Sequence, residues 1–342
     1  GRGMAIPYYS IFVRMLSYQP YEPIDDAFFY QRLLRARQLR ERYAVETSYR
    51  VVFSESDGLP GLIVDRFEDY LICQIGTMGI EVRRERVFSM LQELYAPRGI
   101  FEKSGGKMRK PERLEPRTQL VSGECPPLIP FRQHGLIFLN DVIEGHKTGF
   151  FLDQRDNREA VSRYVMSGTR VLDGFSYTGG FSLVAAKVDA QVTAFDISER
   201  ALTVARDAAA KNSLQGHCAF QQADAFAMMR TLEESRAQFD MVTLDPPAFA
   251  KHKGVLPSAL RGYRALNRRA MKILPDGGIL VSCSCTQQVS EGAFLDMLRD
   301  AAHDAGKHLR FLEIRGQPFD HPVLATLPET RYLKCVIAQV ME

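Results

Sequence analysis

Two groups of residues in this chain are spaced to do chemistry, and the first is a series of carboxylates: Asp173, Asp196, Asp224 and Asp245. Asp173 closes the short run Arg170-Val171-Leu172. It is followed by the small, polar turn Gly174-Phe175-Ser176-Tyr177-Thr178-Gly179-Gly180, which runs into an apolar helix from Phe181. A carboxylate and several bare backbone N–H groups therefore stand at the carboxyl end of a buried strand, where open α/β sheets hold their cofactors. The turn is not a G-x-G-x-x-G dinucleotide fingerprint. It is not a phosphate loop either, since no Gly-Lys-Ser/Thr follows. An acidic strand end suits a cofactor with positive charge, and S-adenosylmethionine carries an ammonium and a sulfonium. Asp196, in Ala194-Phe195-Asp196-Ile197-Ser198, falls where an acidic residue commonly holds a ribose diol. Asp224 follows the third strand and could accept from an adenine amino group. Any one of the four, taken alone, reads as a helix cap or a turn carboxylate. All four at one edge of one sheet point to adenosylmethionine rather than a nicotinamide.

The second group sits at the ends of the fourth and fifth strands. In Leu244-Asp245-Pro246-Pro247-Ala248-Phe249 two prolines fix the backbone, so that a carboxylate and carbonyls are presented rigidly. A related Asp/Asn-Pro-Pro-aromatic segment grips an exocyclic amine in amino-methyltransferases, but here Ala248 separates the prolines from Phe249. The next strand ends Val281-Ser282-Cys283-Ser284-Cys285-Thr286. A thiol beside a methyl donor has a clear use, because cytosine C5 is a poor nucleophile until a thiolate adds to C6 and makes C5 enamine-like. Cys283 is expected to point into packing, and Cys285, past the strand end, is the better nucleophile. Cys-x-Cys without two further ligands is a poor zinc site, and the seven histidines show no metal spacing, so no metal is expected.

These residues need a sheet to hold them. From Phe150 onward strands near 169–173, 191–195, 217–221, 239–244, 278–283, 310–315 and 331–340 alternate with helices near 153–166, 180–187, 198–211, 224–235, 257–273 and 290–304. This predicts an α/β, doubly wound, seven-stranded sheet of the class I methyltransferase kind, with a reversed edge strand. Upstream, residues 20–122 read as a small α+β domain, with helices Ile24–Ala44 and Glu81–Tyr95 and strands at Val51–Phe53, Gly61–Val64 and Tyr70–Ile75. Residues 103–117 read as a mobile basic loop. A hairpin over Phe131–Phe138 and Leu139–Ile143 links the domains within 123–149, and 150–342 forms the catalytic domain. Residues 9–17 look like one strand without a neighbour, part of a sheet lying upstream. The chain opens Gly-Arg-Gly with its first Met at position 4, which also predicts preceding sequence.

Hydrophobic content of 45%, charged content of 25% and a net charge of +3 fit a globular protein without a global field. No apolar run is long enough to cross a membrane. Six scattered cysteines without C-x-x-C spacing read as reduced thiols, hence a cytoplasmic protein. Local basic stretches favour a nucleic-acid partner: Arg32, Arg35, Arg37, Arg40 and Arg42 on the first helix, the 103–117 loop, and Arg261, Arg264, Arg268, Arg269 and Lys272, which have no acidic residue in their own stretch. Phe249 is a candidate to stack on an extruded base. A free strand edge near the N-terminus would allow a homodimer.

The segment Glu144-Gly145-His146-Lys147-Thr148-Gly149-Phe150-Phe151-Leu152-Asp153-Gln154-Arg155-Asp156-Asn157-Arg158 resembles the signature that enters the catalytic domain of bacterial large-subunit rRNA cytosine-5 methyltransferases (RlmI-like). So do Ser176–Phe181, Asp245-Pro246-Pro247, Arg261-Gly262-Tyr263, Cys285 and His321–Thr326, and the resemblance extends over nearly the whole chain. It implies S-adenosylmethionine bound by Asp173, Phe175, Ser176, Tyr177, Thr178, Gly179, Gly180, Asp196, Ser198, Asp224, Asp245 and Gln154. It implies Cys285 as nucleophile and Asp245 at the cytosine edge. It places Lys147, Arg155, Pro246, Pro247, Phe249 and Arg261 against a 23S rRNA or large-subunit precursor. Family members begin with a PUA RNA-binding domain, of which residues 1–18 resemble only the closing strand. Two other readings remain open from the residues: a base N-methyltransferase acting on guanine N7 or an exocyclic amine, and a non-catalytic RNA-binding assembly factor.

Overall fold

The computed structural model describes residues 1–6, 11–43, 46–105, 109–250 and 253–342. Tyr9, Ser10, Ala44 and Lys107, on which sequence expectations fell, lie outside them. The chain forms two units, one of residues 1–133, 140–152 and 318–330, the other of residues 134–139, 153–317 and 331–342. Residues 318–330, which the strand–helix alternation puts with the catalytic domain, cluster with the first unit.

The first unit opens with β1 (Arg2–Ala5) and β2 (Val13–Ser17), which pair antiparallel. The strand expected to stand alone over 9–17 thus has its partner upstream in the chain, in Arg2–Ala5. The helix Asp26–Tyr43 buries Phe28, Phe29, Leu33 and Ala36. They pack with residues of β3 (Tyr49–Phe53), β4 (Leu62–Phe67), β5 (Tyr70–Ile75) and the helix Arg84–Tyr95 in one apolar core. β6 (Gly99–Ser104) and β7 (Arg117–Gly123) complete a five-stranded sheet in the order β3-β4-β5-β6-β7. In the basic stretch between β6 and β7, Arg109 is anchored rather than loose. The Arg109 guanidinium is 1% exposed and donates to the Ile75 carbonyl (2.8 Å), the Glu115 carbonyl (2.6 Å) and the Glu81 carboxylate (2.9 Å). An arginine buried and paired in this way is a structural clamp, because a charge taken out of water must be paired. The expected hairpin appears as β8 (Leu128–Gln133) and β9 (Leu136–Asp141).

The second unit carries β10 (Arg170–Gly174), β11 (Gln191–Asp196), β12 (Cys218–Gln222), β13 (Met241–Leu244), β14 (Ile279–Ser284), β15 (His308–Arg315) and β16 (Lys334–Met341). They form one sheet in the order β12-β11-β10-β13-β14-β16-β15. The five strands from β12 to β14 are parallel, and every residue of β13 is buried, as expected where helices cover both faces. β16 runs antiparallel between β14 and β15, so the reversed strand is internal and not at the edge as expected. Its apolar sequence, buried at seven of the ten residues Leu333–Glu342, explains why it takes the covered position. After β10 the chain moves to β11 and β12 on one side, then returns to β13 on the other side of β10. The strand order therefore reverses between β10 and β13, and such a switch point opens a crevice at the carboxyl ends of those strands. Asp173 and Asp245 stand there.

Candidate functional site

The turn after β10 is shaped by backbone conformations that most residues avoid. Phe175, Tyr177 and Gly179 have φ of 62°, 48° and 79°. The Ser176 N–H donates to the Phe195 carbonyl (3.1 Å) and the Gly179 N–H to the Ser176 carbonyl (2.8 Å), which closes the turn over the end of β11. Gly174 is needed for close approach, since a Cβ there would meet Phe195 Cζ at 2.8 Å and Leu244 Cδ2 at 3.0 Å. Asp173 is 1% exposed, and its Oδ2 accepts from Ser182 Oγ at 2.5 Å. Burial pushes its carboxyl up to about 7, against the Ser182 bonds. Its Oδ1 has no partner, nor do Ser176 Oγ or Thr178 Oγ1. Buried polar atoms are ordinarily bonded, so this set of open donors and acceptors is suited to a polar, cationic ligand in the crevice. The residues present fit S-adenosylmethionine.

Asp196 ties the turn to the next strand. Its two oxygens accept from the Tyr177 N–H and the Ser198 N–H, both at 2.9 Å. Each oxygen keeps a second lone pair for a ribose hydroxyl. Ser198 and Asp224 also have a local duty as helix caps, the reading that Asp224 taken alone already carried. Ser198 Oγ caps the helix Glu199–Lys211 through the Ala201 N–H (3.2 Å), and Asp224 Oδ1 caps the helix Ala225–Glu234 through the Ala227 N–H (2.9 Å). Gln154 Oε1 accepts from Asn157 Nδ2 at 2.7 Å.

Beside β10, β13 delivers Asp245. Burial and the Asp153 carboxylate push its carboxyl up to about 7, while Gln154 and Arg158 oppose the shift. Asp153 in turn accepts from the Tyr332 hydroxyl. Pro246 is buried and Pro247 exposed. The Phe249 ring lies 4.7 Å from Tyr263, 6.1 Å from Phe226 and 6.5 Å from Phe175, so it is one member of an aromatic cluster and only partly open to a stacking base.

β14 delivers the cysteines. Cys283 is 0% exposed, pairs across the sheet with Cys335 and packs in an apolar cluster. The Cys335 contact and burial hold its thiol well above the usual range, so it is a packing residue. Cys285 lies just past the strand and is half-buried. Its two neighbours are pinned: the Tyr263 hydroxyl is bonded to Thr286 Oγ1 at 2.8 Å and to Ser284 Oγ at 3.0 Å. The Thr286 carbonyl accepts from Lys334 Nζ at 2.7 Å. Lys334 was not among the sequence candidates. Its signal is a lone cation inside the apolar run Leu333–Val336, a position that a long side chain satisfies only with buried acceptors.

On the expected RNA side, Lys147 is exposed with φ of 55°, and its Nζ sits 5.2 Å from the Phe151 ring centroid. Arg155 is buried, bonded through Nε to Asp156 at 2.9 Å, while its carbonyl accepts from His134 Nε2 at 3.0 Å. Arg261 is exposed and has no bonded partner among the described residues. Three other arginines of its helix are paired, while Lys272 is exposed. Arg264 pairs with Asp300 and Asp304, and Arg268 and Arg269 pair with Glu233, acids that arrive from other helices. On the first helix Arg40 is buried against Asp57 and the Asp320 carbonyl. Among the described residues no cluster of three or more His, Cys, Asp and Glu could hold a metal, and no helix is long and apolar enough to cross a membrane.

Residues 104–333 match the family model described as S-adenosylmethionine-dependent methyltransferase. The chain is 41% identical over 346 aligned positions to the ribosomal RNA large subunit methyltransferase I of Escherichia coli O139:H28, covering 99% of this chain and 87% of that protein. It is similar to the same extent to the ribosomal RNA large subunit methyltransferase I of Shigella boydii serotype 18. Among solved structures it superposes on SMU.776, described as a methyltransferase complexed with SAH, with a TM-score of 0.84 at 21% identity over 96% of this chain and 85% of that one. Trm5b from Pyrococcus abyssi shares the fold more distantly, with a TM-score of 0.61 at 17% identity over 82% and 75% of the two chains. The chain belongs to the S-adenosylmethionine-dependent methyltransferase family, in the branch of the large-subunit methyltransferase I proteins, and S-adenosylmethionine is its cofactor.

Proposed function

We propose that this chain methylates C5 of a cytosine in large-subunit (23S) rRNA or its precursor, in the cytoplasm, through a covalent bond to Cys285. The observation that carries the reading is a half-buried thiol held at the end of β14, one strand from a carboxyl raised to about 7 at the end of β13. S-adenosylmethionine, bound at the β10 turn, supplies a methyl group made electrophilic by its sulfonium. Cys285 as thiolate adds to cytosine C6, forming a sulfur–carbon bond and moving the π pair toward N3 and C5. Asp245, partly protonated near neutrality, can donate a hydrogen bond to N3 as negative charge builds there, and as carboxylate can accept from the exocyclic amine. C5 then takes the methyl, a base removes the C5 proton, and the released pair restores the C5=C6 bond as the Cys285 thiolate leaves. Cys283 cannot take this role while it is packed against Cys335. Lys147 and Arg261, exposed and cationic, are assigned to phosphate contacts. The β1–β2 hairpin is assigned as the closing part of a PUA-like module.

The test is methyl transfer from labelled S-adenosylmethionine to unmodified 23S rRNA by the parent and by Cys285→Ala, with the labelled nucleoside identified after digestion. The reading requires labelled 5-methylcytidine that disappears in Cys285→Ala. Label in another nucleoside that survives the substitution would establish an N-methyltransferase instead. RNA binding without label in any nucleoside would favour an assembly factor.

A further inference from the structure

Lys334 begins β16 as a lone cation in an apolar run, and it is 3% exposed. Its Nζ donates to three backbone carbonyls: Thr286 at 2.7 Å, Tyr332 at 2.8 Å and Val289 at 2.9 Å. An ammonium has three donors, so all are used and none goes to a carboxylate. Two of the three acceptors belong to the segment that follows Cys285, while Ser284, which precedes Cys285, pairs across the sheet with Lys334 itself. Both sides of Cys285 are thus tied to one residue. The charged and titratable groups facing the ammonium are the Cys285 thiol, Glu291 and Arg331. Glu291 is bonded to Arg331, and the Cys285 charge acts on the ammonium directly. Cys285 also faces the Tyr263 hydroxyl, which stays protonated near neutrality because burial pushes it up to about 12.

We propose that Lys334 is a positioning residue for Cys285: its ammonium holds the segment after β14 through the Thr286 and Val289 carbonyls and sets a fixed positive charge beside the Cys285 sulfur, favouring the thiolate. The catalytic meaning of this role rests on Cys285 being the nucleophile. Burial draws Lys334 down to about 8, with the Cys285 charge acting in the opposite direction, so the ammonium persists at neutral pH and the two charges stabilise each other. A lysine placed only for packing would leave the reactivity of the neighbouring thiol unchanged.

The experiment follows the alkylation rate of Cys285 by iodoacetamide against pH, read on the Cys285 peptide by mass spectrometry, in the full chain without rRNA. Lys334→Gln, which keeps N–H donors without the charge, and Lys334→Met should each move the midpoint upward by about one unit and slow alkylation roughly tenfold near pH 7. Lys334→Arg, which keeps the charge, should stay within about threefold of the parent. Labelling of Cys125, measured in the same samples, should not change. In methyl transfer, Lys334→Gln should lower kcat with little change in KM for rRNA. Superimposable alkylation profiles for the parent and a folded Lys334→Gln would overturn the proposal. Because this readout needs no methyl transfer, it is separable from the reading of Cys285. Transfer persisting in Cys285→Ala, with the alkylation shift intact, would remove the nucleophile and with it the catalytic role of Lys334.

Discussion

Asp173 and Asp245 share a property that the sequence alone does not show: each is buried enough at its strand end to hold its proton up to about 7. The stability consequence has a definite sign. With folded values raised above the unfolded carboxylate value near 3.9, the native state binds more protons than the unfolded chain between about pH 4 and pH 7, so stability falls as pH rises through that window. The cofactor-free protein should be less stable to urea at pH 7.5 than at pH 5. Asp173→Asn should flatten that slope by on the order of 2 kcal/mol, and an identical slope in parent and variant would contradict the assignment. The strand-end positions of Asp173, Asp196 and Asp245 were legible in the sequence because each closes an apolar run, and strand ends are where such runs stop. The commitments of single side chains were not. Arg264, Arg268 and Arg269 look uncompensated along the chain, yet their acids Asp300, Asp304 and Glu233 lie in other helices. Arg155, expected at the substrate, is buried. Ser198 and Asp224 look like ligand residues and are also caps, a duality inherent in residues that sit where a loop meets a helix.

At the scale of elements, the site depends on how closely β10 approaches its neighbours. Gly174 lies between Phe195 on β11 and Leu244 on β13, so Gly174→Ala must displace a buried ring or leucine. The expected cost is about 1–3 kcal/mol of stability, with weaker S-adenosylmethionine binding because the adjacent turn moves. Thermal melts and calorimetry would check both, and a variant with parental melting and affinity would refute the close-approach argument. The helices and strands of the second unit were readable within a few residues, because alternation of period and apolar runs is a local signal. β6 and β7 were missed, since a stretch rich in lysine, arginine, glycine and proline separates them and reads as a loop. The Arg109 clamp that fastens the stretch uses Ile75 and Glu81, well upstream. The insertion of β16 between β14 and β15 was also out of reach, because antiparallel pairing of distant strands leaves no mark in either strand alone.

Across the whole molecule, the sheet order carries the function. The strand order reverses between β10 and β13, where open α/β sheets hold their ligands, and Asp173, Asp245 and Cys285 stand at or just past the ends of β10, β13 and β14. That arrangement was inferable from βα alternation, whereas the grouping of residues 318–330 with the first unit was not, since it rests on tertiary bonds such as Asp320 Oδ2 to the Arg50 N–H at 2.8 Å. The most direct measurement of the central claim is covalent trapping. Incubating the protein with S-adenosylmethionine and 23S rRNA transcribed with 5-fluorocytidine blocks removal of the C5 substituent, so the adduct cannot resolve. The account predicts a protein–RNA complex that survives denaturing electrophoresis, requires S-adenosylmethionine, and maps by peptide mass to Cys285; it should be absent in Cys285→Ala and retained in Cys283→Ala. A complex that forms equally in Cys285→Ala, or active methylation of cytosine C5 with no trapped species, would contradict it.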